Sequence, residues 1–127
     1  DEAERIFGDG GGIPLLLSKM HKSGIKMAVI TDGVNGSYAS DGRRAFFMGI
    51  YPYEAVERTG AGDSFGTGFM AALAWGLDVP EAMQWGSANS ASVVLKIGPQ
   101  DGLLTRKEIE SFIRRKECRG VVPRPLI

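Results

Sequence analysis

The stretch Glu57-Arg58-Thr59-Gly60-Ala61-Gly62-Asp63-Ser64-Phe65-Gly66-Thr67-Gly68-Phe69 decides how the rest of the chain is read. Gly60, Ala61 and Gly62 carry almost no side chain, so their backbone N–H groups can face a ligand at close range. The helix that opens at about Asp63 adds roughly half a positive charge at the same end. Such a turn is an anion cradle. A carboxylate beside a bound anion is repulsive, so Asp63 needs another task if an anion binds there, and taking a proton from a hydroxyl suits its chemistry. Backbone donors aimed at developing negative charge, with a positioned base, suffice for phosphoryl transfer to an alcohol when a Mg-nucleotide lies opposite. Spacing alone is equally compatible with a structural reading in which Asp63 caps the helix and the glycines allow tight packing of helix on strand.

Downstream, Phe65, Phe69, Ala72, Leu73, Gly76 and Leu77 line one side of the helix that follows the turn. Gly66-Thr67-Gly68-Phe69-Met70-Ala71 matches G-x-G-x-x-A but lies inside that helix, where a dinucleotide fingerprint does not belong. No G-x-x-x-x-G-K-[ST] run occurs. A second helix is expected after Asp78, with Asp78 and Glu81 at capping-box spacing, running toward Gly98. A third is expected at Thr105, with Thr105 and Glu108 in the same relation and Ile109, Phe112 and Ile113 buried. Trp75 and Trp85 fall at helical positions shared with apolar neighbours and are expected in the core or in packing between helices. The run Gly86 to Ser92 consists of small residues that would let two helices approach closely, and the tail from Cys118 is expected to be irregular.

Upstream, Ile13, Leu16, Leu17 and Met20 recur at helical spacing, with an end near Ser23-Gly24. Lys26 to Thr31 contains the apolar run Met27-Ala28-Val29-Ile30, which reads as a central parallel strand buried on both faces. After Thr31-Asp32-Gly33-Val34-Asn35-Gly36, the segments around Ser40-Asp41-Gly42-Arg43 read as an antiparallel hairpin. Together these describe an α/β sheet with helical layers and a ligand at the carboxyl ends of its strands.

Composition narrows the partners. The 127 residues carry 15 Lys+Arg and 15 Asp+Glu, so the broad basic footprint of a nucleic-acid binder is missing. Apolar stretches fall far short of the roughly 18–20 residues that span a bilayer, and neither a membrane partner nor a membrane span is expected. One Cys excludes an internal disulfide, one His lacks partners at metal-ligand spacing, and the opening Asp1-Glu2-Ala3-Glu4-Arg5 has no secretory pattern, so a cytoplasmic location is the expectation. The chain does not begin with Met and reads as a piece of a longer protein.

Thr59 to Phe69 resembles the C-terminal signature of the ribokinase-like carbohydrate kinases, the phosphofructokinase B family, in which a Gly-Ala-Gly-Asp turn opens a helix. Ile30 to Gly36 is similar to that family's strand-to-turn segment beside the nucleotide, and Ala88-Asn89-Ser90-Ala91 and Gly98 sit where the family has a small-residue helix and a glycine turn near adenine. The resemblance implies the C-terminal, nucleotide-binding and phosphoryl-transfer portion (residues 1–127) of a three-layer α/β/α ribokinase-like domain, with the N-terminal sugar-binding and lid part outside it. It further implies Asp63 as base on the acceptor hydroxyl, and Gly60, Ala61 and Gly62 as the anion hole. Thr31, Gly33, Gly36, Asn89 and Gly98 would be nucleotide contacts. ATP and Mg2+ held mainly by the phosphates would be the cofactors, and a small sugar or sugar acid the acceptor. A ribokinase-like nucleoside kinase and a non-catalytic nucleotide-binding remnant are the alternatives. Some members bind a monovalent cation through an Asp two residues before the position of Thr59. Here Glu57 stands there and Lys96 lies in the matching later loop, which leaves the cation unassigned. The strand edge that a missing N-terminal half would leave open makes homo-oligomerisation an expectation of the same reading.

Overall fold

The computed structural model describes residues 12–32, 35–52, 61–95 and 104–126. In chain order these form α1 (Gly12–Lys22), β1 (Ala28–Thr31), β2 (Ser37–Ser40), β3 (Ala45–Met48), α2 (Ala61–Ala74), α3 (Val79–Val94), α4 (Arg106–Ile113), a single 3-10 turn (Lys116–Cys118) and β4 (Arg124–Pro125). The four strands make one sheet in the order β1-β2-β3-β4, and every neighbouring pair is antiparallel.

Alternation along the strands sends side chains to two different cores. Ala28 and Ile30 point to α1 and are buried with Leu16 and Leu17, with Tyr38, Ala45 and Leu126 packed around them. Their neighbours Met27 and Val29 join Ala39, Phe46 and Met48 on the opposite face, against Phe65, Phe69 and Ala72 of α2 and Ala82, Met83, Trp85 and Ala88 of α3. Helices therefore cover both faces of the sheet, which is the three-layer α/β/α arrangement.

The double burial of Met27 to Ile30 was expected from a central parallel strand. Among the described residues β1 instead ends the sheet, and its one strand partner, β2, is antiparallel. The apolar run reports that both faces are covered, which α1 and the α2–α3 layer accomplish whatever the direction of the neighbouring strand.

Three further local expectations are corrected or narrowed. Asp78 occupies the N-cap of α3 but makes no side-chain cap hydrogen bond. Its carboxylate accepts from the Arg44 guanidinium at 3.3 Å, which draws it toward the β2–β3 hairpin. Trp75 is 61% exposed and so lies outside the core, because it follows the last residue of α2 as the chain turns away; it packs against another helix through the Arg106 guanidinium of α4 at 4.8 Å, whereas Trp85 is buried. The segment after Cys118 is not wholly irregular: Arg124–Pro125 pairs with β3, and Leu126 N–H donates to the Ala45 carbonyl. Pro125 is tolerated because β4 is an edge strand.

The other punctuation is as read. At the end of α2, Leu77 N–H reaches the Ala72 carbonyl and Gly76 N–H the Leu73 carbonyl, with Gly76 at φ 85°, a glycine-terminated Schellman motif. Thr105 and Glu108 form the full capping box of α4, and Glu108 ionises more readily for the bond that it accepts from Thr105 N–H. Asp41 closes the hairpin by accepting from Arg43 and Arg44 N–H at 2.9 and 2.8 Å. His21 links the end of α1 to the sheet, with Nδ1 at 2.8 Å from the Ile25 carbonyl and Nε2 at 2.9 Å from Ser40 Oγ.

A close backbone contact joins α2 to α3. A Cβ on Gly68 would lie 2.7 Å from the Trp85 carbonyl oxygen, and one on Gly86 would lie 2.9 Å from the Phe65 carbonyl oxygen. Both obstacles are backbone, so neither can swing away. The G-x-G-x-x-A match within α2 thus serves helix packing. Gly68→Ala is expected to destabilise the protein by about 1–3 kcal/mol through overpacking. Gly66→Ala, whose added methyl meets nothing within 4 Å, should instead raise stability by up to about 1 kcal/mol by restricting the unfolded chain; thermal melts of the two variants check this opposition. The Arg44 and Arg43 amides lower the Asp41 carboxyl below its ordinary 3.8. Its contribution to hairpin stability is therefore present above that value and lost as pH falls through the lower folded value. The cost of Asp41→Ala in denaturant titrations should shrink toward zero across that acidic window.

Candidate active site

The carboxyl end of β1 and the amino end of α2 meet. The position of a Cβ on Gly62 lies 3.7 Å from Thr31 Oγ1, an ordinary contact distance, so a strand end and a helix N-terminus form two walls of one place. α2 is 14 residues long and carries a single acidic residue, Asp63, in its first turn. Thr31, Asp32, Gly62 and Asp63 are all exposed there. Thr67 folds its hydroxyl back onto the Asp63 carbonyl at 3.0 Å and leaves the Asp63 carboxylate free of that bond. The arrangement unites a helix-end positive field, a hydroxyl and a carboxylate on an accessible surface.

The β1–β2 turn is held by its backbone. Asp32 N–H donates to the Gly36 carbonyl at 2.8 Å and Asn35 N–H to the Asp32 carbonyl at 2.9 Å. Gly36 sits at φ 107°, and a Cβ there would lie 2.4 Å from the Met48 carbonyl oxygen, so the turn can press onto the end of β3 only with glycine in this position. Gly36 is buried in this role while Thr31 is open to solvent. Of the expected site residues, Thr31, Gly62 and Asp63 come together. Gly33, Gly60 and Gly98, with Glu57 and Lys96, lie outside the described residues, and Ala61 is described as the first residue of α2 by its backbone.

The Asn89 side chain, expected near the adenosine, is fully buried between elements of the chain itself. Its Nδ2 donates to the Ser64 carbonyl at 2.8 Å, and its Oδ1 accepts from Leu104 N–H at 2.9 Å. The amide thereby ties the first turn of α2 to the residue that leads into α4. Both of these groups are backbone atoms, so no residue type in the sequence signals these two bonds. Ser87, also in α3, is likewise turned inward, with its hydroxyl 3.3 Å from Met48 Sδ.

Among the described residues no group of three or more His, Cys, Asp or Glu side chains is placed to hold a metal ion. No described helix is long and apolar enough to cross a membrane.

Comparison with known proteins bears on this geometry. The family described as pfkB family carbohydrate kinase matches residues 1–106. The ribokinase of Bacillus subtilis is 36% identical over 84 residues, which are 66% of this chain and 29% of that protein. The 5-dehydro-2-deoxygluconokinase of Bacillus thuringiensis is 36% identical over 94 residues, 72% of this chain and 28% of the relative. A solved protein described as ribokinase II from E. coli, in complex with ATP and Mg2+, superposes with a TM-score of 0.74 at 31% identity over 90% of this chain and 37% of its own. The chain thus spans less than a third of the length of the curated relatives that it matches.

A methyl group at residue 62 meets only ordinary contacts, so Gly62→Ala should fold with unchanged or slightly higher stability, a gain of at most about 1 kcal/mol. It should nevertheless crowd the surface between Thr31 and the start of α2. A loss of thermal stability in this variant would contradict the open geometry described for the turn.

Proposed function

Because the chain belongs to the pfkB family of carbohydrate kinases, we propose that the protein carrying it transfers a phosphoryl group from ATP to a hydroxyl of a small sugar or sugar acid. One observation carries the reading: Asp63, exposed in the first turn of α2, stands beside the contact between Gly62 and Thr31. The carboxylate takes the proton of the acceptor hydroxyl as its oxygen attacks. Gly62 and the N–H groups opening α2 face the developing charge, with Gly60 and Ala61 as the other members of the anion hole. Thr31 lies on the nucleotide side, where its hydroxyl can donate to a phosphate oxygen, and Gly33, Gly36 and Gly98 belong to the same side of the proposal. Gly36 acts there by setting the backbone of the turn.

ATP supplies the transferable phosphoryl group. The residues present fit it, since a helix N-terminus with an open glycine and an exposed threonine suits an anion, and the solved relative named with ATP and Mg2+ supports the pairing. Mg2+ would be carried mainly by the nucleotide phosphates. Relatives named for ribose and for a 5-dehydro-2-deoxy sugar acid support a compact, polyhydroxylated acceptor.

The full-length protein should therefore consume ATP in the presence of one or more members of a panel of pentoses, hexoses and sugar acids, with nucleosides included as competitors. Asp63→Asn removes the base while keeping the side chain's size. It should lower turnover by at least about 100-fold with little change in the calorimetric affinity for a non-hydrolysable ATP analogue and Mg2+. An Asp63→Asn enzyme that turns over normally would sink the general-base role, and turnover of nucleosides alone would move the acceptor to that class.

A further inference from the structure

We infer that Asn89 is a positioning residue for phosphoryl transfer: its buried amide fixes the first turn of α2, and with it Asp63, to the chain entering α4. The inference rests on the proposed function, but its geometric basis is independent of it. Ser64, whose carbonyl receives the Asn89 Nδ2 hydrogen at 2.8 Å, directly follows Asp63 in the chain. Leu104, whose N–H reaches Asn89 Oδ1 at 2.9 Å, is buried and precedes the capping box of α4. One planar amide therefore uses its donor end on the catalytic turn and its acceptor end on another part of the chain, and the two cannot shift independently without stranding a buried polar group.

The surroundings make this link stiff. The Asn89 Cβ lies 3.0 Å from where a Cβ of Gly68 would stand, one turn after Ser64 on α2. Ser92 Oγ donates to the Asn89 carbonyl at 2.7 Å, holding that part of α3 in turn. Gly86, three residues before Asn89, presses on Phe65. Three α2 residues near the carboxylate, Ser64, Phe65 and, one turn on, Gly68, are thus gripped from the same stretch of α3. Asp63 itself is exposed, and its backbone carbonyl accepts from the Thr67 hydroxyl. An exposed base gains orientation from the turn that carries it, and among the described residues Asn89 hydrogen-bonds that turn from outside α2. Losing it should act on turnover, since a base displaced by a fraction of an ångström still lets substrates bind.

Two substitutions in the full-length protein separate this role from a purely structural one. Asn89→Leu keeps the volume and removes both bonds. Asn89→Asp keeps the acceptor for Leu104 N–H, and only its protonated form can donate to the Ser64 carbonyl. Burial raises the pKa of such a carboxyl. Asn89→Asp should therefore behave like Asn89→Leu at pH 8 and recover toward wild type as the pH falls to about 6, while the turnover ratio of Asn89→Leu to wild type stays flat. Steady-state kinetics with Mg-ATP and D-ribose, or the panel sugar that turns over fastest, would be run well below each variant's melting temperature. The expected result for Asn89→Leu is a fall in kcat of about 10- to 100-fold with the KM for sugar within about threefold, and faster amide exchange confined to the start of α2. Thr105→Ala, which weakens the α4 cap, serves as a control for lost stability and should leave kcat unchanged. The inference is overturned if Asn89→Leu keeps its kcat, if its loss matches that of Thr105→Ala at equal destabilisation, or if Asn89→Asp shows no recovery at low pH. Asp63→Asn run alongside distinguishes the failures: a fully active Asp63→Asn enzyme removes the proposed chemistry, whereas an inactive one beside active Asn89 variants removes only the positioning role.

Discussion

The close approach of α2 to α3 at Gly68 and Gly86 is the constraint from which the site follows. With backbone carbonyls of Trp85 and Phe65 standing where side-chain carbons would be, the two helices meet nearly backbone to backbone along this stretch. Contacts of this kind are short and inflexible, because nothing in them can change rotamer. They fix the axis of α2, and its axis determines where the first turn emerges. That turn then meets the end of β1, where Gly62 lies against Thr31. A bulkier pair of residues in the helix interface would push α2 outward and open the strand-helix junction on which an anion site depends.

The sheet supplies the other half of the frame. Each strand is only two to four residues long, so its position depends more on what packs on its faces than on hydrogen bonds along its edges. Ala28 and Ile30 hold α1 on one side. Ala39, Phe46 and Met48 hold the α2–α3 layer on the other. The β1–β2 turn is pressed onto the end of β3 at Gly36, which anchors the segment carrying Thr31 to the same sheet that supports α2. The strand side and the helix side of the junction are thereby referred to one rigid body.

What could be read from the sequence follows the range of each interaction. The capping box at Thr105 and Glu108, the glycine stop at Gly76 and the turn at Asp41 involve residues within a few positions of one another, and residue identity determines them. At the junction, spacing alone left a structural reading as open as a catalytic one, and it was the family resemblance that added the role proposed for Asp63. Strand direction was not legible, since hydropathy registers that Met27 to Ile30 are covered on two faces and carries no information about the neighbour's polarity. Asp78 was read as a cap from local spacing, whereas Arg44, 34 residues away in sequence, holds its carboxylate. The bonds of Asn89 were hidden for the same reason, since a lone amide among small residues carries no sign that it reaches two backbone groups far apart in sequence.

Those bonds bear on the proposed role of Asp63. For a base on a solvent-facing helix turn, the entropy of a loose carboxylate would work against the aligned geometry that proton transfer requires. The fold meets this difficulty from behind. The polar side chain that could have faced a ligand is spent on the backbone of the turn, and small residues around it bring α3 near enough for the amide to reach. Precision at the exposed surface is thus derived from satisfaction in the buried layer. The turn can remain open to reactants because its hydrogen bonds to the rest of the chain are made where water does not compete.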